Sequence, residues 1–96
     1  MKGYRLDIPP HVADRIRHFH PDIKKGFKTA LRAIAEDSSR GEPLLRELKD
    51  YWKYRVKRFR VIYSVDRKQW MIRVMAVGHR RAIYEELAEL VKSQRK

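Results

Sequence analysis

The apolar period of this chain changes near Leu45 from helical to strand-like, and a chain that switches period in this way must combine helices with a sheet. Before the change, Val12, Ile16 and Phe19 recur at i, i+4 and i+7 on one short helical stripe, and Ile23, Phe27, Ala30, Leu31 and Ile34 hold one face of a longer helix. After it, Tyr51–Val56, Phe59–Val65 and Trp70–Val77 are rich in aromatic and β-branched residues, which predicts three strands. Ahead of the helices, Tyr4, Leu6 and Ile8 alternate with Arg5 and Asp7, a short strand stopped by Pro9-Pro10. Asp22, after His20-Pro21, is an N-cap or first-turn acid for the second helix. That helix ends near Glu36-Asp37-Ser38-Ser39, and Arg40-Gly41-Glu42-Pro43 reads as a loop. Val65–Gln69 is a polar hairpin connection, while Lys57-Arg58 is a tighter turn that lacks Gly or Asn.

Strict alternation places Phe59, Val61, Tyr63 and Val65 on one sheet face and Arg60, Ile62 and Ser64 on the other. In the preceding strand Lys53 and Arg55 share a face, opposite Trp52, Tyr54 and Val56. Gly78 closes the third strand, and a last helix carries Ile83, Leu87, Leu90 and Val91 at helical spacing, fraying over Ser93–Lys96. The expected architecture is α+β: two N-terminal helices and a C-terminal helix packed on a four-stranded antiparallel sheet, the first strand recruited to the edge of the later meander. Residues 1–96 read as a single domain.

Charge is distributed as unevenly as period. The chain carries 24 Lys and Arg against 12 Asp and Glu, net +12. Between Tyr51 and Arg81 ten cations face one acid, Asp66, so this third of the chain holds +9 of the total. Concentrated in that way, the cations point to a polyanionic partner, RNA or DNA first. An anionic membrane fits less well, because no helix pairs a basic face with an aromatic-rich apolar face. No apolar run is long enough to span a bilayer, and Met1-Lys2-Gly3-Tyr4-Arg5 does not open a secretory signal. With no cysteine, disulfides, a thiol nucleophile and thiolate metal sites are excluded, and the default expectation is a cytoplasmic protein.

The chemistry available follows from the same distribution. Asp66 sits in a turn, where an Asx role suits it, and Glu85, Glu86 and Glu89 read as the solvated face of the last helix. A paired-carboxylate hydrolase or a metal-dependent nuclease therefore has no obvious site. His11, His18 and His20 read as surface residues. His79, after Gly78 and beside Arg80-Arg81, has two readings: a cap or phosphate contact, and a general acid or base. Lys53, Arg55, Arg60 and Arg80 can converge on one sheet surface with aromatics interleaved. A phosphodiester cut by its own ribose 2′-hydroxyl asks for cations to stabilise charge on the phosphorane and for a group that moves a proton; it needs no metal or cofactor, and it selects RNA over DNA.

The segments Trp52-Lys53-Tyr54-Arg55-Val56, Phe59-Arg60-Val61-Ile62-Tyr63 and Val77-Gly78-His79-Arg80-Arg81-Ala82-Ile83-Tyr84 together resemble the RelE/ParE superfamily of toxins from type II toxin–antitoxin systems, and its RelE-like branch in particular. The resemblance implies a four-stranded antiparallel sheet with helices against one face. It also implies cleavage of messenger RNA in the ribosomal A site, without metal, by 2′-hydroxyl attack, and neutralisation by a small acidic antitoxin. Carried over residue by residue, the catalytic positions are Lys53, Arg55, Arg60, Arg80 and Tyr84, with Lys57, Arg58, His79 and Arg81 as RNA contacts. Arg60 and Arg80 would clamp the scissile phosphate, Lys53 would donate a proton, and Tyr84 would stack on a base or assist proton transfer. Arg55 stands where some relatives have lysine, and the Val56-Lys57-Arg58-Phe59 connection is short beside theirs. The superfamily leaves two alternatives: a ParE-like toxin that inhibits DNA gyrase without cutting RNA, and a degenerate, non-toxic basic nucleic-acid-binding module.

Overall fold

The computed structural model describes residues 3–94, and the side chains of Glu47, Leu90, Val91, Ser93 and Gln94 lie outside that description. Strand β1 (Arg5–Asp7) leads into helices α1 (Pro10–Arg17) and α2 (Pro21–Glu36). Strands β2 (Glu42–Pro43), β3 (Trp52–Val56), β4 (Phe59–Asp66) and β5 (Met71–His79) follow, and helix α3 (Ile83–Gln94) ends the described chain. The sheet runs β1-β5-β4-β3-β2. Element order and α+β class match the expectation, with two differences of pairing. The segment expected as a loop at Arg40–Pro43 contributes a fifth, two-residue strand, Glu42 opposite Lys53 and Pro43 opposite Trp52. The edge strand β1 runs parallel to β5, with an Asp7–Arg73 ion pair at 3.6 Å, so the sheet is mixed and not purely antiparallel.

Alternation along β4 sorts the core into two layers. Val61 and Tyr63 face α1 and α2 in a cluster with Val12, Phe27, Ile34 and Ile72, while Ile62 faces α3 with Ile83 and Leu87. The helices therefore cover both faces, not one. A bulge makes this possible in β5: Ile62 pairs with Ala76 but Tyr63 with Val74, leaving Met75 as the extra residue. Met75 and Ala76 consequently both pack on the α3 side, and the next residue, Val77, returns to the α1/α2 side. Strand β5 also continues through Gly78 to His79, two residues past the expected end, because Arg60 and Phe59 still offer partners there.

Helix α2 buries Phe27, Ala30, Leu31 and Ile34 as its stripe predicts. Its Gly26 permits a close approach to β3, since an added Cβ would lie 2.8 Å from Val56 Cγ1. The cap is His20, whose Nδ1 accepts from the Asp22 N–H at 3.2 Å, and Asp22 is the first-turn acid. Ile83 and Leu87 anchor α3 at 0% exposure; the side chains of Leu90 and Val91, expected on the same stripe, lie outside the described residues. Of the expected frayed end, Ser93 and Gln94 belong to α3, and the last two residues fall outside the description.

Candidate functional site

Strand pairing brings three of the expected residues to the sheet face that α3 covers. Arg55 lies directly opposite Arg60, and Lys53 opposite Ile62, so Lys53, Arg55 and Arg60 share the Ile62 face. From α3, Tyr84 packs beside Ile83 and Leu87, and the Lys53 ammonium sits 5.9 Å from the centre of its ring. Arg60 is half-buried and folds back on its own turn, its Nη1 donating to the carbonyls of Lys57 (3.2 Å) and Phe59 (2.9 Å). The salt bridge with a helical acid that such an arginine could make is absent among the described residues.

The remaining cations gather at one end of the sheet. Lys57 turns the β3–β4 hairpin with φ 55, supplying the left-handed residue that the missing Gly or Asn would have provided. Arg80, just past β5, donates its backbone N–H to the Arg58 carbonyl at 2.8 Å, which ties that hairpin to the β5–α3 junction. The exposed Arg55, Lys57, Arg58, Arg80 and Arg81 have no carboxylate within ion-pair distance among the described residues. Six guanidinium and ammonium groups, counting Arg60, thus stand together without internal neutralisation.

His79 is placed differently from the others. It pairs with Phe59, touches that ring edge-on at 5.9 Å, and so lies on the α1/α2 side of the sheet end. Its Nδ1 accepts from the Arg81 N–H at 3.2 Å, the capping role that was one of its two readings, and the residue is exposed. His11, His18 and His20 are exposed. Asp66 accepts from the backbone of Lys68 and Gln69, an Asx turn. Among the described residues no group of three or more His, Asp or Glu is arranged to hold a metal ion. No helix among them is long and apolar enough to cross a membrane.

Reading the sequence missed one neighbour of Lys53. Glu42 of β2 stands opposite Lys53, its Oε1 3.7 Å from Nζ. Glu42, Lys53, Arg55, Arg40 and Tyr54 line a surface cavity of about 380 Å³. A buried phenol places this carboxylate. Tyr63, 0% exposed, donates its hydroxyl to the Ser38 carbonyl (2.7 Å) and accepts from the Gly41 N–H (3.2 Å). Burial raises the ionisation of that phenol to about 12, against a weaker opposing pull from the Gly41 N–H. Just before Ser38 in the chain, Asp37 is held below the usual carboxylate range by hydrogen bonds from the Ser39 hydroxyl and N–H. Gly41 itself has no room for a Cβ, which would strike the Tyr63 hydroxyl and come within 2.6 Å of the Lys53 carbonyl. A two-residue strand has too few positions to show a period, so the only sequence signal was the need to cover the edge of β3.

Comparison with solved structures shows the same fold in toxins. A double-arginine mutant of Escherichia coli RelE in the free state superposes with a TM-score of 0.75 at 19% identity, covering 98% of this chain and 99% of that one. A RelBE toxin–antitoxin complex from Mycobacterium tuberculosis gives 0.72 at 23% identity, covering 83% and 94%. A YoeB–YefM complex from Staphylococcus aureus gives 0.66 at 18%, covering 79% and 95%. No curated protein matches the chain. The architecture is the one these toxin structures share. Residues 6–84 match the family described as the ParE toxin of type II toxin–antitoxin systems, parDE, and the chain belongs to that family.

Proposed function

We propose that this toxin is a ribonuclease of RelE type, which cleaves messenger RNA in the ribosomal A site, without metal, by attack of a ribose 2′-hydroxyl on the adjacent phosphate. The observation that carries the reading is the face shared by Lys53, Arg55 and Arg60, with Tyr84 against Lys53. Arg60 and Arg80 clamp the scissile phosphate and stabilise the charge that builds on its oxygens. Lys53 protonates the leaving 5′-oxygen and Arg55 holds the phosphate beside it. Tyr84 stacks on a neighbouring base, and Lys57, Arg58, His79 and Arg81 contact the RNA backbone. A small acidic antitoxin partner fits the unneutralised cations, and each of the solved complexes named above pairs a toxin with its antitoxin.

Inducing the chain in a bacterial host tests this. Translation arrest with new transcript ends inside translated codons is the expected result, and Arg60→Ala with Arg80→Ala abolishes both while the protein stays folded. Normal growth with intact transcripts, under confirmed soluble expression, overturns it. The family match favours one other reading, a gyrase inhibitor that cuts no RNA. Its signature is a DNA-damage response with transcripts intact. The cations at Lys53, Arg55, Arg60 and Arg80, superfluous to such a binder, weigh against it.

A further inference from the structure

At the end of the sheet away from Arg60, the β4–β5 turn presents an aromatic ring that the core leaves largely uncovered. Trp70 is 56% exposed, the one aromatic side chain left so among the described residues. Its φ of 54 puts an indole where glycine or asparagine sits at least cost, a strained position for a bulky residue. The turn around it is ordered. Asp66 Oδ1 accepts from the Lys68 and Gln69 N–H groups, and the Trp70 carbonyl accepts from the Arg5 N–H at 2.9 Å. Tyr4 braces the indole, with ring centres 5.2 Å apart. Arg67 and Lys68, which open the same turn, are exposed and have no carboxylate within ion-pair distance among the described residues.

A held, exposed indole beside two unopposed cations has both parts that bind a single nucleic-acid strand: a flat ring for a base and charges for phosphates. A duplex could use only the charges, because its bases are already paired and stacked. A purely apolar partner would cover the ring and strand the charges.

Resting on the ribonuclease reading above, we infer that Trp70, Arg67 and Lys68 form a second contact for the messenger strand held at Lys53, Arg55 and Arg60. An unpaired base stacks on the Trp70 indole, and the phosphates beside it lie against Arg67 and Lys68. Asp66, which closes β4 at this turn, is six residues from Arg60, about 20 Å along the strand. Between them Arg73 stands opposite Ser64 on the Arg60 face, so an exposed cation marks the way. A strand bound at one end presents its other bases to Trp70 at high effective concentration, so the two contacts reinforce each other. That linkage makes the occupant the messenger strand and not a second RNA.

The test uses the full chain with Trp52→Phe, which leaves Trp70 as its one tryptophan, and a single-stranded RNA decamer whose 2′-O-methyl groups prevent cutting. The decamer quenches Trp70 emission. An abasic strand of the same length, the decamer in a duplex, and a trinucleotide too short to reach both contacts do not, at the same concentration. Trp70→Asn, a residue that suits a left-handed turn, weakens binding of a labelled decamer about 10-fold, the scale of one stacked base, and leaves the salt dependence unchanged. Arg67→Ala with Lys68→Ala also weakens binding, and lowers the salt slope by about 1–1.5. Thermal midpoints show that each variant is folded. Equal quenching by the abasic strand, or wild-type affinity in Trp70→Asn, overturns the inference; equal quenching by the trinucleotide overturns the link to the messenger strand. Transcripts cut in the cell with no quenching of Trp70 refute this inference alone. Intact transcripts overturn the ribonuclease reading, and this inference with it.

Discussion

Replacing Tyr63 with phenylalanine removes one oxygen from the centre of the molecule, and its effects can be worked through from the contacts that oxygen makes. The hydroxyl donates to the Ser38 carbonyl at 2.7 Å and accepts from the Gly41 N–H at 3.2 Å. Each bond is worth about 1 kcal/mol net, and a buried acceptor left empty costs more than the bond itself. Ser38 is 6% exposed, so its carbonyl bears that cost, whereas Gly41 is half-buried and water can reach its N–H. A loss of about 2–3 kcal/mol is expected from a total of roughly 5–15. With a urea m-value of about 1–2 kcal/mol/M, the midpoint falls by about 1–3 M at unchanged m. Alkali supplies an independent measurement. Burial raises Tyr63 to about 12 in the folded chain from 10. The neutral phenol therefore favours the fold, and that contribution is complete below pH 10 and lost as pH rises to about 12. The phenyl ring of the variant cannot ionise, so the stability gap between wild type and Tyr63→Phe narrows across that interval. A loss under about 0.5 kcal/mol at neutral pH, or a gap that stays constant from about pH 9 to 12, refutes the assignment of these two hydrogen bonds.

Gly41→Ala, whose new Cβ meets the Tyr63 hydroxyl and the Lys53 carbonyl, lowers stability by about 1–3 kcal/mol, read as a fall in thermal midpoint. The Arg15–Glu86 pair, in which Nη1 donates to both carboxylate oxygens at 2.8 Å with side chains 49% and 36% exposed, links α1 to α3; a double-mutant cycle gives a coupling under about 1 kcal/mol that shrinks with added salt. Arg60→Ala and Arg80→Ala separate in chemical denaturation: the first loses about 1 kcal/mol with its two bonds to the hairpin carbonyls, and the second stays within about 0.5 kcal/mol because only its backbone is engaged.

Where a segment is long enough to show a period, its place was legible. The stripe of α2 and the alternation of β4 predict which side chains are buried, and alternation in β3 and β4 becomes one face holding Lys53, Arg55 and Arg60 once the two strands pair in register. What escaped is short or irregular. Strand β2 has two residues and no period to detect. The bulge at Met75 is an extra residue that alternation cannot announce, yet it puts Val77 back on the α1/α2 side and Gly78 against Ile83 of α3. The parallel sense of β1 depends on how α1 and α2 carry the chain back across the sheet, a tertiary matter. The Glu42–Lys53 ion pair was hidden for the same reason as its strand, because it depends on the two residues standing opposite each other.

A cluster of unneutralised cations works against folding, and the way this chain tolerates one bears on what the cluster is for. The frame beneath is apolar and complete: Ile62, Ile83 and Leu87 are each 0% exposed behind the cationic face. The hairpin and the β5–α3 junction are joined through main-chain atoms, Arg80 N–H to Arg58 carbonyl, so neither side chain is needed to hold them. Lys57, Arg58, Arg80 and Arg81 extend into solvent, where screening over about 8 Å at physiological salt limits their repulsion. Arg60 alone among these arginines is drawn into structural bonds, and even there through one nitrogen, Nη1, to carbonyl oxygens. The fold thus uses almost none of this charge to hold itself together. The charges stay available to an anion, and the carboxylate beside Lys53 is the one place, among the described residues, where they are locally opposed. Neutralising Glu42 removes that opposition, so on the ribonuclease reading a Glu42→Gln chain binds a single-stranded RNA at least as tightly as wild type at fixed salt; weaker binding refutes this electrostatic account.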